Sequence, residues 1–216
     1  MKLQVFAVAA LAVGCASAAR ADILWDQSSL GWSSNGFYNT ISGAPPFGST
    51  AYAASDVTVP AGGWQVNSVS MYFTCFDFSW NSETTGRLYI QPKTGAMPTV
   101  LPGGSLIDMT VELLTDDSVG QAYYKVTASG LSNVLTPGEW WVGITPVAAA
   151  GPFGPEIGLA TANPTGATTA NYDLGGSGWA DTTVDAAILI EGTVPAPASA
   201  ALLGLGGLAM ARRRRA

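Results

Sequence analysis

The sequence predicts an all-β protein: a two-sheet antiparallel β-sandwich of jelly-roll type, with an N-terminal signal helix and a short C-terminal hydrophobic helix at its ends. Three observations predict it. No stretch between the two ends carries a sustained i, i+3, i+4, i+7 apolar pattern. Short runs rich in β-branched and aromatic residues alternate apolar with polar instead. The 26 glycines and 13 prolines, with many serines and threonines, punctuate those runs at the spacing of strand turns.

The elements follow in chain order. Residues 1–21 read as a Sec-type signal peptide: Lys2 is the cationic n-region, Leu3 to Gly14 the apolar core, and Ala19-Arg20-Ala21 an A-x-A cleavage site. Ala16-Ser17-Ala18 is a second site, and Ala12-Val13-Gly14-Cys15 offers a lipoprotein-box alternative. The mature start is placed at Asp22, and the ectodomain at 22–193. Leu24-Trp25 and Ala51 to Val59 open it. Trp64 to Thr74 is a long strand: Trp64 and Val66 share one face, then Val69, Met71 and Phe73 do. The phase slips at Asn67-Ser68, which predicts a bulge. Gly86 to Gln91 turns Leu88 and Ile90 inward. In Leu106 to Leu114, Ile107, Met109, Val111 and Leu113 point to the core, while Asp108, Thr110 and Glu112 point to solvent. Tyr123 to Ala128, Glu139 to Thr145 and Ala186 to Glu191 complete the set. Alternation places Trp140 with Val142 and Ile144 in the core, and Trp141 with Gly143 and Thr145 on a half-exposed face.

Residues 194–216 close the chain as V-P-A-P-A-S-A-A-L-L-G-L-G-G-L-A-M-A-R-R-R-R-A. A proline-bracketed kink at Pro195-Ala196-Pro197 precedes an apolar run, Ala200 to Ala211, and four arginines, Arg212, Arg213, Arg214 and Arg215. The run is 12 residues long with three glycines. A lasting span takes roughly 20 apolar residues, so the order reads as a transient membrane address with a cytoplasmic cationic stop. A permanent anchor is the alternative.

This tail resembles the PEP-CTERM sorting signal of bacterial envelope proteins. Val194, Pro195, Ala196, Pro197, Ser199 and the Arg212–Arg215 block carry the resemblance, with Ala196 where the family has Glu. It implies an exosortase-type membrane protease as partner, passage through the inner membrane, and release to the cell surface or extracellular matrix. The body is similar to ectodomains found ahead of such tails. The residues are Asp56-Val57-Thr58-Val59-Pro60-Ala61-Gly62-Gly63-Trp64 and Leu135-Thr136-Pro137-Gly138-Glu139-Trp140-Trp141-Val142-Gly143-Ile144. The resemblance implies a strand pair opening one sheet and a strand returning near the end.

Composition excludes several chemistries. The ectodomain keeps all 15 acidic residues against three basic ones, Arg87, Lys93 and Lys125, a net charge of −12. Such a body does not seek nucleic acid. It has no histidine, so Ser-His-Asp and Cys-His nucleophilic machinery and His-ligated zinc are excluded. Cys75 is the one cysteine left after cleavage, so no intrachain disulfide forms, and it reads as an inert core residue. No cofactor is called for. Calcium at loop carboxylates is the alternative, with Asp116 and Asp117 as candidates, although no EF-hand spacing is present.

All seven tryptophans lie in the ectodomain. Most are expected to fill the core. Trp32, Trp80 and Trp179 stand in Gly/Ser/Asn-rich loops, where an aromatic ring can stack on a sugar face. Trp141, Trp80 and Trp32 are the candidate ligand platform, in that order. Ala160 to Thr169 reads as a loop. The expectation is a non-catalytic structural or adhesive protein of the exopolysaccharide matrix. A carbohydrate-binding module and a carboxylate-dependent hydrolase are the alternatives.

Overall fold

A computed structural model describes residues 21–28, 50–76, 83–116, 121–147, 157–160, 162, 169–173, 178–182 and 185–195. Every element in them is a strand: β1 (Asp22–Asp26), β2 (Ala51–Val59), β3 (Trp64–Phe76), β4 (Glu83–Pro92), β5 (Ile107–Asp116), β6 (Gln121–Leu135), β7 (Gly138–Pro146), β8 (Ile157–Leu159), β9 (Thr169–Asp173), β10 (Gly178–Asp181) and β11 (Ile188–Thr193). All pairings are antiparallel.

The strands form one hydrogen-bonded sheet rather than two separate ones. Its order is β1-β11-β3-β6-β5-β4-β7-β2-β9-β10, with β8 extending the β11 side of β3. The eight strands from β1 to β2 curl strongly into a half-barrel. The curl brings together strands far apart in that order. Ile144 N of β7 donates to Met71 Sδ of β3 at 3.2 Å. Gln27, just past β1, accepts from Ser55 Oγ of β2 at 3.3 Å. The core lies inside the curl. Val69, Met71 and Phe73 of β3 meet Val126 and Ala128 of β6, Val142 and Ile144 of β7, and Ile188 and Ile190 of β11.

Alternation in β3 runs as the sequence predicts. Both ladders of β3 shift register between Val66 and Ser68, at the expected phase slip. In β5, Met109 and Val111 are buried, Ile107 packs partly against the core, and Asp108 and Glu112 are exposed. Leu88, Ile90 and Trp140 are likewise half-buried against it. Leu113 corrects the expectation: it is 55% exposed. Pairing with β4 ends at Thr110, so beyond it β5 has a partner only on its β6 side, where the register shifts after Leu113.

Trp179, expected in a loop, lies in β10, and Thr169 opens β9. These two strands form a hairpin that continues the sheet beyond β2. A polar seam joins it to the far side. Ala186 N, two residues before β11, donates to Thr169 Oγ1 at 2.7 Å. This side-chain bond ties β9 to a segment with which it shares no ladder and satisfies a buried N–H that would otherwise be orphaned.

Candidate functional site

The outer face of β4, β7 and β2 carries the leading aromatic candidate. Register aligns Gln91 with Trp141, Tyr89 with Gly143, and Arg87 with Thr145; Asp56 of β2 stands on the other side of Trp141. Trp141 therefore points away from the core, as its strand phase predicts. It is nevertheless 1% exposed, which corrects the half-exposed platform. A second layer covers it: Tyr89, Ala54, Met97 and Trp179 pack with it.

Two sequence features build that layer. Trp179 reaches over from β10, its ring 5.7 Å from that of Tyr89. The connection between β4 and β5 folds back as a strap pinned by three side chains. Arg87 Nη1 donates to Pro102 O at 3.1 Å, Tyr89 Oη to Val100 O at 2.9 Å, and Gln91 Nε2 to Thr99 Oγ1 at 2.9 Å. Gly143 does not leave open space beside the indole. A Cβ there would meet Ala53 O at 2.3 Å, so the glycine lets the β2 backbone approach.

Lys93 Nζ sits 5.2 Å from the centre of the Trp141 ring and 2.5 Å from Asp56 Oδ2. The buried Trp141 Nε1 has no hydrogen-bond partner. Burial pushes the Tyr89 hydroxyl up to about 12, because a phenolate would lose its hydration there. The slot is thus a sealed satellite core and offers a ligand no open ring.

A second feature lies on the outer face near β5. Ile107 to Met109 pair with β4, while the β5–β6 ladder begins only at Thr110 opposite Thr127. β6 is bent away there. Val66 pairs with Asn133 and Ser68 with Ser129, so Gly130 to Ser132 bulge opposite Asn67. Gly130 supplies the positive φ of 70° that this bulge takes. The split leaves a cleft of about 500 Å³ lined by Glu83, Thr84, Thr85, Asp108, Met109, Thr110 and Ser129. Strand alternation had marked Asp108 and Thr110 as a solvent face; the bulge that gathers them into a cleft depends on pairing between distant strands.

The remaining candidates are spread out. Trp80, Trp32, Asp117, Ala19, Ala196, Pro197, Ser199, Arg212, Arg213, Arg214 and Arg215 lie outside the described residues. Asp116 ends β5 opposite Ala122. Ala21, Asp22, Val194 and Pro195 are exposed. Among the described residues, no group of three or more His, Cys, Asp or Glu is placed to hold a metal ion, and no helix is long and apolar enough to cross a membrane. Comparison with protein-family models, curated proteins and solved structures finds no match.

Proposed function

We propose that this chain is an exported, surface-sorted structural or adhesive protein of the bacterial envelope or exopolysaccharide matrix, without catalytic activity. The observation that carries the reading is the tail order: Pro195-Ala196-Pro197, an apolar run, then Arg212 to Arg215. On this reading an exosortase-type protease removes the tail, and the curled sheet is the jelly-roll-type, sandwich-like ectodomain that stays outside. The geometry at the two ends supports it. Asp22 of β1 pairs with Gly192 of β11, so the two ends of the ectodomain lie side by side. A body of net charge −12 with no histidine suits a soluble matrix component better than a nucleophilic enzyme. Trp141 no longer supports a tryptophan platform, since it is sealed.

Intact mass of the protein extracted from the host surface tests the proposal. A mass that begins at Asp22 and ends near Pro195–Pro197 is expected. A surface species that retains Arg212 to Arg215 overturns sorting in favour of a permanent anchor.

A further inference from the structure

From the cleft between β5 and β6 we infer a polysaccharide contact that takes neutral, hydroxyl-rich glycan. This deepens the adhesive reading and rests on it for the source of the ligand; the chemistry comes from the lining. The cleft of about 500 Å³ is bounded by the carboxylates of Glu83 and Asp108, the hydroxyls of Thr84, Thr85, Thr110 and Ser129, and Met109. That volume lies in the range of small-molecule sites, roughly 300–1,000 Å³.

The polar inventory selects the ligand class. Carboxylates only accept hydrogen bonds, while hydroxyls donate one and accept two. Thr84 Oγ1 already donates to Val147 O at 2.6 Å, which fixes that hydroxyl and leaves its lone pairs. The lining therefore has an excess of acceptors and suits a partner rich in donors. The cations of the body stand elsewhere. Lys93 pairs with Asp56, Arg87 bonds the Tyr52 hydroxyl and the Pro102 carbonyl, and Lys125 faces Glu112 across β5–β6. None of them lines the cleft or forms an ion pair with Glu83 or Asp108 among the described residues, so a uronate or phosphate group entering it would meet two carboxylates that no cation pairs. Calcium is a poor fit, because it takes roughly six to eight oxygens with several carboxylates among them. A sugar's hydroxyls meet both needs: they donate to the carboxylates in charge-assisted bonds and accept from the free hydroxyls. The threonine methyls offer apolar surface to the C–H groups of a ring.

The bulge at Gly130 to Ser132 directly follows Ser129, the β6 residue of the lining. A single site of this kind binds weakly; repeated copies along a polymer raise retention through avidity.

Affinity electrophoresis of the full chain tests the inference, using gels that contain a soluble β-glucan, an α-glucan, a galactomannan or, as the anionic comparator, polygalacturonate. Retardation by at least one neutral polymer and none by polygalacturonate is expected. Asp108→Asn and Thr110→Val should each weaken it about tenfold, the loss of one good hydrogen bond to a charged or fixed group. Glu139→Gln, which removes an exposed carboxylate far from the cleft, should leave it unchanged. Melting curves for each variant show that a loss of retention is not a loss of fold. No retardation by any neutral polymer, stronger retardation by polygalacturonate, or retardation that Asp108→Asn leaves intact overturns the inference. The mass measurement on tail removal reports separately, so failed sorting and a failed cleft give different results.

Discussion

Replacing Trp141 with alanine separates a sealed satellite core from an open ligand platform. The indole is 1% exposed and packed against Tyr89, Ala54, Met97 and Trp179. Truncating a buried tryptophan costs about 3–5 kcal/mol in lost burial and cavity formation. The cation–π contact with Lys93, at 5.2 Å, adds about 0.5–1 kcal/mol to the loss. One term opposes. Trp141 Nε1 is buried without a partner, and removing such a donor recovers about 1–3 kcal/mol. The net expectation is a destabilisation of about 2–4 kcal/mol. For a body of this size each kcal/mol moves the melting temperature by about 2–4 °C, so a fall of about 5–15 °C is expected by circular dichroism or calorimetry. Trp141→Phe keeps most of the ring and removes the orphaned donor, so it should lie within about 1 kcal/mol of the native protein. A Trp141→Ala protein that melts within about 2 °C of the native one refutes the sealed-core reading. A Trp141→Phe protein as damaged as Trp141→Ala refutes the account of the orphaned donor.

Three further outcomes are expected. Gly143→Ala places a Cβ 2.3 Å from Ala53 O, a backbone atom that cannot swing away, and should cost about 1–3 kcal/mol in denaturant unfolding. Thr169→Val orphans the buried Ala186 N–H across the seam and should cost about 1–3 kcal/mol, whereas Thr169→Ser should restore most of it; equal losses for both would show that the bond is idle. Burial raises Tyr89 from its ordinary value of 10 to about 12, so the neutral phenol is the form the fold favours. Its contribution is fully present below pH 10 and is lost as pH climbs from 10 towards 12. Stability across that window should fall less steeply in Tyr89→Phe, and an identical slope would remove Tyr89 as the cause.

The sequence by itself determined what depends on near neighbours and on charge. Period-2 alternation marked β3, β5 and β7 as strands and correctly set the phase of Val69, Met71 and Phe73, because successive side chains of a strand must point to opposite faces. It even located the slip between Val66 and Ser68, where two apolar runs fall out of step. The absence of histidine and the balance of charges narrowed the chemistry without any coordinates. Tertiary structure decided what depends on a strand's distant neighbours. Alternation states which way Trp141 points; it does not state that a strap pinned by Arg87, Tyr89 and Gln91, with Trp179 from β10, covers that face. The exposure of Leu113 follows from where β4 stops pairing, and the single curled sheet in place of two follows from the ladder between β5 and β6. The cleft at Asp108 and Ser129 exists because three residues of β6 oppose one of β3, a mismatch between segments more than 60 residues apart. A side chain's face is a local property of the backbone pleat. What covers that face is set by chain closure, through contacts that no local window of residues contains.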